Sequence, residues 1–318
     1  GAGTNNIPVG SLSRRGVPVF NAPGANANAV KELVIAAMLM ASRNLPEALE
    51  FVRGLDATDP TLERRVEDDK KRFSGFELTG RTLGVIGLGR IGALVAHAAI
   101  ELGMDVIGYD PEITVDAAWS LSSQVRRASS IAELLKASEF VSIHVPLLDS
   151  TRHLIDGRNL ELMRRGAVLM NFSREGIVDD AAAVAALDSG QLSRYVCDFP
   201  NPRIHGHPRT IALPHLGAST TEAEDNCASM VAEQLRDYLE NGNVRNSVNF
   251  PLAVMPRSSA WRLAIVNANV PNMLGQISTA MAEAGLNIDE MLNKSRGDIA
   301  YTIVDSSQPV PESVIARL

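Results

Sequence analysis

Short apolar runs alternate with segments of helical periodicity between residues 82 and 239. Each short run is bounded by polar or turn-forming residues, which is the pattern of a buried strand. The predicted strands are Thr82–Ile86, Asp105–Tyr109, Phe140–Val145, Ala167–Phe172, Tyr195–Val196 and Ile211–Leu213. The predicted helices are Ile91–Leu102, Ile131–Ala137, Ala181–Leu187 and Ala218–Leu239. This alternation predicts an α/β fold built on a Rossmann-type, doubly wound parallel sheet.

The segments outside this region have different patterns. Val30–Arg43 carries apolar residues at helical spacing, and the highly charged stretch Ala57–Lys71 predicts a solvated helix after a loop. Pro251 and Pro256 indicate a linker over Ser247–Pro256. A smaller unit is predicted after it, with strands at Arg262–Asn267, Asn287–Asn293 and Ile299–Val304 and helices at Asn272–Ala284 and from Pro311.

Composition narrows the class of protein. The chain has 318 residues, of which 45% are hydrophobic and 21% charged, as expected for a globular protein of about two domains. A net charge of −7 disfavours nucleic acid or an anionic membrane as a partner. The longest apolar run, Leu33–Ala41, is shorter than the ~20 residues of a membrane span. Cys197 and Cys227 cannot build a disulfide framework, so a cytoplasmic protein is expected. No metal site is predicted.

A glycine motif lies between the first strand and first helix of the alternation. Gly87, Gly89 and Gly92 stand at the spacing GxGxxG. In a dinucleotide-binding loop they allow a tight turn, close approach of the pyrophosphate, and close helix packing. Arg90 and Ile91 open the helix whose first N–H groups face the phosphates. The alternative is a structural glycine turn without a ligand.

Asp110 ends the second predicted strand, 18 residues after Gly92. An acid at this place accepts hydrogen bonds from the ribose hydroxyls of the adenosine and repels a 2′-phosphate. The predicted cofactor is therefore NAD rather than NADP. The alternative is that Asp110 is an acid of a surface loop.

Two residues of the right type for hydride-transfer chemistry follow later strands. Arg174 stands in NFSREGIVD and His215 in PHLGAST. Oxidation of a 2-hydroxy acid needs a cation that holds the carboxylate and carbonyl, and arginine does this in bidentate fashion. It also needs a group that exchanges the hydroxyl proton near neutral pH, as histidine does. The alternatives are a surface arginine and a structural histidine.

These segments together resemble the D-isomer-specific 2-hydroxyacid dehydrogenases. The opening GAGTNNI, the stretch VFNAPGANANAVKEL and the segment SVNFP extend the resemblance over nearly the whole chain. It implies that Arg174 binds the substrate and that His215 donates and accepts the proton. It also implies that His144, Pro146 and Thr151 flank the nicotinamide, that Asp198 contacts the carboxamide, and that Asn26 lies in an interdomain loop reaching the site. For His144, packing in the core is an equal alternative.

The chain departs from the family at one catalytic position. The family uses a glutamate that hydrogen-bonds the histidine, yet no Asp or Glu occurs between Asp198 and His215. Counted without gaps, Arg203 takes its place, and a cation there disfavours the protonated imidazole. Either another acid such as Glu222 reaches His215, or proton transfer is weakened.

The resemblance also implies a domain organisation. It assigns residues 26–214 to an NAD-binding Rossmann domain and residues 1–25 and 215–250 to part of a flavodoxin-like substrate domain. Family members carry further strands and helices before GAGTNNI, so a truncated start is expected. Residues 258–318 resemble a ferredoxin-like ACT unit that stops before its last strand.

Asn269 and Asn287 match the amide side chains that bind an effector in ACT domains, and asparagine offers both a donor and an acceptor. The resemblance implies L-serine as a possible effector, with a dimerising module that binds no ligand as the alternative. A homodimer or homotetramer is expected.

The resemblance implies a small-molecule substrate, 3-phospho-D-glycerate, oxidised by NAD to 3-phosphohydroxypyruvate at the start of L-serine biosynthesis. Two alternatives remain open. The chain is a reductase of glyoxylate, hydroxypyruvate or another 2-hydroxy acid, or it binds NAD without turnover.

Overall fold

A computed structural model describes residues 1–4 and 6–318. Asn5, part of the opening GAGTNNI, lies outside the described residues. The strands are β1 Thr82–Ile86, β2 Asp105–Tyr109, β3 Val125–Arg127, β4 Phe140–Ile143, β5 Ala167–Asn171, β6 Leu192–Cys197, β7 Thr210–Ala212, β8 Trp261–Ala268, β9 Ile288–Arg296 and β10 Ile299–Ser306. The helices are α1 Val9–Arg14, α2 Ala27–Ser42, α3 Leu45–Arg53, α4 Leu62–Asp69, α5 Arg90–Glu101, α6 Val115–Ser120, α7 Ile131–Ala137, α8 Gly157–Leu162, α9 Asp180–Asp188, α10 Thr221–Asn241, α11 Met273–Glu283 and α12 Glu312–Ile315, with a 3₁₀ turn at Lys70–Phe73.

The chain forms two compact units, residues 26–223 and residues 1–25 with 224–318. The first unit contains a parallel sheet in the order β3-β2-β1-β4-β5-β6-β7. The chain order reverses between β1 and β4, which is the switch point where ligands bind in doubly wound sheets. The predicted Rossmann-type α/β sheet is thus confirmed.

The sheet of this unit is covered on both faces, which explains why its central strands are apolar throughout rather than alternating. Successive residues point to opposite sides, so Val85 and Met170 belong to one core cluster, and Ile86 and Leu169 belong to the other. Helix α2 belongs to the cluster of Val85, where it contacts α5. This two-sided core fixes the carboxyl ends of the strands, from which the candidate residues project.

The elements missed by the sequence pattern are short. β3 has only three residues and none of them is buried, so it has no apolar run to mark it. Helices α1, α3 and α6 contain no buried residue, and α8 contains only Leu160. Helix α2 begins at Ala27, three residues earlier than predicted.

The second unit contains an antiparallel sheet in the order β8-β10-β9. Its central strand β10 is buried almost throughout, and α11 contributes Ile277, Ala280 and Met281 to the apolar cluster on one face. The prediction of a linker over Ser247–Pro256 was wrong, because Phe250 lies in the other cluster, beside the Tyr301 ring.

Across residues 1–4 and 6–318, the structure contains no helix that combines the length and the apolarity needed to cross a bilayer.

A buried ion pair joins β8 to its neighbour β10 in the antiparallel sheet. Arg262 Nε and Nη2 donate to the two oxygens of Asp305 at 2.6 and 2.7 Å, and the two side chains are 4% and 0% exposed. The Arg262 guanidinium is the main reason that the pKa of Asp305 falls to about 2. Bidentate geometry of this kind is the strongest form of a carboxylate pair.

Replacing Asp305 by asparagine is expected to destabilise this unit by about 3 kcal/mol, because it leaves a buried guanidinium uncompensated. Since the folded pKa of Asp305 is depressed, its stabilisation is present above the unfolded pKa of about 4 and is lost as the pH falls towards 2. Urea unfolding at pH 7 measures the loss, with Glu283→Gln, which breaks the exposed pair with Arg317, as control. Equal stability of the two variants would contradict this role.

Candidate functional site

The predicted site residues of the first unit follow the carboxyl ends of its parallel strands. Because the strands run in one direction, these ends meet at one edge of the sheet. The residues concerned are Gly87 after β1, Asp110 after β2, His144 after β4, Arg174 after β5, Asp198 after β6 and His215 after β7. The structure therefore assembles glycine loop, acids, guanidinium and imidazole along this edge.

The glycine loop connects β1 to α5. Gly87 has a φ of 89°, in the region that glycine tolerates, and its N–H donates to Tyr109 O at 2.9 Å. A Cβ on Gly92 would lie 1.9 Å from Gly87 O, so only glycine allows α5 to begin this close to the strand. Gly89 has nothing within 4 Å of its Cβ position, which leaves its backbone open to a ligand.

Asp110 stabilises the same loop from the next strand. Its Oδ2 accepts the Leu88 N–H at 2.8 Å and its Oδ1 accepts the Glu112 N–H at 3.0 Å. A cavity of about 470 Å³ lies beside it, with Leu88, Leu121 and Arg127 among its lining residues. The cavity combines apolar walls with polar groups at its rim, as a flat heterocycle and a ribose require.

These features fit a dinucleotide. A side chain at Gly87 or Gly92 would fill the space that the glycine loop encloses. Gly89 and Arg90 start a helix of 12 residues, and the N–H groups of its first turn are unpaired. A negative pyrophosphate is the group that such a helix start favours.

Arg174 stands on a loop that its neighbours hold in place. Asn171 accepts the Ser173 N–H with its side-chain oxygen and donates from Nδ2 to Arg174 O at 2.9 Å. Ser173 Oγ donates to Ile143 O at 2.6 Å, which ties this loop to β4. The Arg174 side chain is exposed, and among residues 1–4 and 6–318 its one hydrogen bond runs from Nη1 to Ser173 O at 2.7 Å. The other guanidinium nitrogens remain available for a carboxylate.

His215 stands on a loop that a buried carboxylate holds. Asp198, 1% exposed, accepts the Leu216 N–H at 2.7 Å and the Gly217 N–H at 2.8 Å. His215 has a φ of 57°, an uncommon backbone conformation for a non-glycine residue, and its exposed ring lies 4.9 Å from the ring of Phe199. Backbone strain of this kind often marks a functional position.

His144 has features of both roles that the sequence left open, packing in the core and contact with the nicotinamide. Burial lowers the pKa of its imidazole to about 3, so the ring is neutral. Its Nε2 lies 2.8 Å from Ser142 Oγ, and its Nδ1 is buried with no hydrogen-bond partner among the described residues. A Cβ on Gly87 would lie 2.6 Å from His144 O, so the residue borders the glycine loop. An unpaired buried nitrogen at this place suits a polar ligand group.

Three further predicted residues have structural contacts of their own. Thr151 Oγ1 accepts the Leu148 N–H at 2.8 Å and donates to Pro146 O at 2.6 Å, which closes a turn after β4. Asn26 is the residue before α2 and makes no capping hydrogen bond with its side chain. Their contact with a cofactor stays a prediction.

No carboxylate hydrogen-bonds His215 in the described part of the chain, so the expectation that another acid reaches the imidazole gains no support. Glu222 is exposed near the start of α10 and does not reach the imidazole through a hydrogen bond. Arg203 is exposed, and its N–H donates to Asn201 Oδ1 at 3.0 Å. Asn201 Nδ2 donates in turn to Asp180 Oδ2 at 2.7 Å, and burial raises the pKa of that acid.

The two predicted effector residues lie in the second unit and are exposed. Asn269 Nδ2 donates to Gly297 O at 3.0 Å, whereas Asn287 Nδ2 lies 3.4 Å from Asp289 Oδ1. Each retains an unused amide oxygen, and their role stays a prediction.

Sequence reasoning missed the residues that hold the site. Asn171 and Ser173 lie within the quoted motif around Arg174, and their polar side chains at the end of an apolar strand were the available signal. Arg127 had no such signal, since its strand is too short for a pattern.

Comparison with known proteins gives the site a context. Residues 35–217 match the NAD binding domain of the D-isomer specific 2-hydroxyacid dehydrogenases. The chain is 36% identical over 298 residues to D-3-phosphoglycerate dehydrogenase from Methanocaldococcus jannaschii, covering 92% of this chain but 54% of that protein. It is 33% identical over 317 residues to the Haemophilus influenzae protein of that name, covering 95% of this chain and 73% of that protein. A glyoxylate reductase from Paecilomyes thermophila is similar in structure, with a TM-score of 0.65 at 29% identity over 78% of this chain and 73% of that one.

Proposed function

Since the chain belongs to the D-isomer specific 2-hydroxyacid dehydrogenase family, we propose that it oxidises a small 2-hydroxy acid with NAD. The observation that carries this proposal is the set of residues at one sheet edge. A glycine loop fitted to a dinucleotide, the guanidinium of Arg174 and the imidazole of His215 follow strands of the same parallel sheet.

NAD, held by the glycine loop of Gly87, Gly89 and Gly92, would supply the hydride acceptor when bound. Arg174 binds the substrate carboxylate with its unengaged nitrogens and orients the hydroxyl-bearing carbon. His215 takes the hydroxyl proton at a ring nitrogen during oxidation and returns it during reduction. Asp198 acts through the backbone, because its hydrogen bonds to Leu216 and Gly217 hold the His215 loop. His144, Pro146 and Thr151 are assigned to the nicotinamide side and Asp110 to the ribose.

The proposed substrate is 3-phospho-D-glycerate, oxidised to 3-phosphohydroxypyruvate as the first step of L-serine synthesis. Support comes from relatives named D-3-phosphoglycerate dehydrogenase, which match nearly all of this chain. The chain spans 54% of the first of these relatives and 73% of the second, so the substrate belongs to the proposal. A glyoxylate or related reductase is the second candidate, favoured by the glyoxylate reductase of similar structure.

NADH consumption by the purified chain distinguishes these candidates. With 3-phosphohydroxypyruvate as substrate and glyoxylate as the comparison, we expect a higher kcat/KM for the phosphorylated acid. Turnover of glyoxylate alone would favour the second candidate. No turnover of either acid, with NADH still bound in a fluorescence titration, would contradict the proposed activity and leave a protein that binds NAD without reaction.

The regulatory and assembly assignments extend this proposal. We assign residues 258–318 to an ACT-like unit whose Asn269 and Asn287 bind L-serine, and we propose a homodimer or homotetramer. The two side chains support the assignment because each keeps an amide oxygen free for a ligand donor.

Replacing Gly92 by alanine is expected to weaken NADH binding at least 10-fold, about 1.4 kcal/mol. The added Cβ would lie 1.9 Å from Gly87 O, so the glycine loop or α5 must move. Fluorescence titration with NADH measures the change. Gly157→Ala is the matched control, because its Cβ would meet only Ala182 Cβ at 3.9 Å. Unchanged affinity in Gly92→Ala would exclude this loop as the binding site.

A further inference from the structure

A separate cavity lies wholly within the unit formed by residues 1–25 and 224–318. Its volume is about 630 Å³, which is within the range of small-molecule sites. The last turn of α1, the segment around Asn249, the end of β8 and the turn between β9 and β10 surround it. Four stretches that are far apart in sequence thus converge on one space.

The walls of this cavity are held in fixed positions by Asn249. Its Oδ1 accepts the Val19 N–H at 2.8 Å, and its Nδ2 donates to Ser13 Oγ at 3.0 Å and to Val17 O at 2.9 Å. Asn249 is 9% exposed, so these bonds are largely shielded from water. The cavity is therefore preformed, and a ligand entering it does not have to order the surrounding chain.

Two cations line the cavity without a carboxylate partner. Arg14 forms no ion pair and no side-chain hydrogen bond with any residue that the structure describes. Arg296 uses Nη1 to donate to Ser247 O at 3.0 Å, and its Nε and Nη2 have no acceptor within the described ranges. Asp298 also lines the cavity, and it forms no ion pair with either guanidinium among the residues described. Two positive groups and one separate negative group leave the cavity cationic.

The absence of a side chain at Gly10 leaves space for the Arg14 guanidinium at the cavity wall. A Cβ on Gly10 would lie 3.9 Å from Arg14 Nη1, and Gly10 itself lines the cavity. Val266 and Ile299 add apolar surface to the wall. Arg296 is held by its hydrogen bonds to backbone carbonyls, whereas the exposed Arg14 side chain forms no hydrogen bond or ion pair with the residues that the structure describes.

We propose that this cavity binds a small organic anion, with a carboxylate or phosphate held between Arg14 and Arg296 and a short carbon skeleton against Val266. Guanidinium groups are the side chains best suited to both anions. The Asp298 carboxylate disfavours a ligand that is anionic at both ends and admits a hydroxyl or amino group there. Asn269 and Asn287 do not line the cavity, although Asn269 borders it by donating to Gly297 O.

Isothermal titration of the full chain with inorganic phosphate and, separately, with D-glycerate tests the proposal. Phosphate binding alone assigns a phosphate site, and D-glycerate binding alone assigns a carboxylate site. We expect a Kd of about 1 mM or lower for at least one probe. Arg14→Glu is expected to weaken that binding at least 10-fold. Arg15→Glu is the matched control, because it makes the same charge change on the adjacent exposed residue outside the cavity.

The same titrations in Arg174→Ala separate this cavity from the proposed active site. Binding that survives in Arg174→Ala and Arg15→Glu but is lost in Arg14→Glu supports the cavity, whether or not the chain has dehydrogenase activity. Binding that persists in Arg14→Glu, or no heat from either probe at about 10-fold above that Kd, overturns the proposal.

Discussion

Arg174→Ala lowers kcat/KM for the 2-keto acid by about 10³-fold, or about 4 kcal/mol, if the guanidinium holds the substrate carboxylate and carbonyl. Its unengaged nitrogens make that contact possible, because Nη1 alone is hydrogen-bonded to a residue that the structure describes. NADH affinity is expected to stay unchanged, since the glycine loop follows β1 whereas Arg174 follows β5. Steady-state rates and an NADH titration measure the two quantities.

Arg165→Ala is the matched control for Arg174. Arg165 is also exposed and also donates to a backbone carbonyl, that of Ser189, at 3.0 Å. Arg174→Lys adds a graded test, because lysine retains the charge but lacks the planar fork. A kcat/KM of Arg174→Ala within 3-fold of the parent would remove Arg174 from the site.

His215→Asn is expected to lower kcat by about 10²–10⁴-fold, the usual contribution of a positioned acid or base. Asparagine is chosen because it tolerates the left-handed backbone of His215, so the loop retains its conformation. The dependence of kcat/KM on pH is the more specific measurement. If His215 exchanges the proton, the pH dependence that its imidazole contributes to kcat/KM disappears in the variant.

The control for His215 is available in the same chain. His153 is an exposed histidine with a φ of 50°, so His153→Asn makes the same chemical change in the same backbone conformation. His153 lies in the segment between β4 and α8, and its N–H donates to Gly176 O at 2.8 Å. Its ring hydrogen-bonds no residue that the structure describes, so the variant is expected to leave kcat and the pH profile intact. Equal losses in the two variants would mean that strain, rather than proton exchange, explains the effect.

The strands that carry the site were predictable because they are buried on both faces. β1, β2, β4 and β5 were marked by apolar runs, and their parallel order follows from the helices between them. The carboxyl ends of such strands share an edge, so the strand pattern alone is enough to expect Arg174 and His215 at the same edge. The dinucleotide loop was predictable for a different reason, since Gly92 has no room for a side chain.

The hydrogen bonds that hold the site loops were not predictable, because they join residues that no sequence pattern relates to one another. Asp198 reaches the Leu216 and Gly217 amides across 18 and 19 positions, and nothing in the sequence specifies that pairing. β3 lacks buried residues, so Arg127 and its cavity were invisible. The buried Phe250 shows how a proline-flanked stretch imitates a linker.

Because of the two hydrogen bonds of Asp198, the position of His215 depends little on which residues form the loop that precedes it. A single buried carboxylate at the end of β6 holds the two amides immediately after the histidine, and β7 pairs with β6 just before it, so residues 200–209 contribute little to the placement of His215. Substitutions in this stretch can then accumulate without displacing the imidazole. Arg203 lies in this stretch, at the place where the resemblance predicts an acid. Under the proposed function, the position of the His215 imidazole is kept although its charged surroundings change.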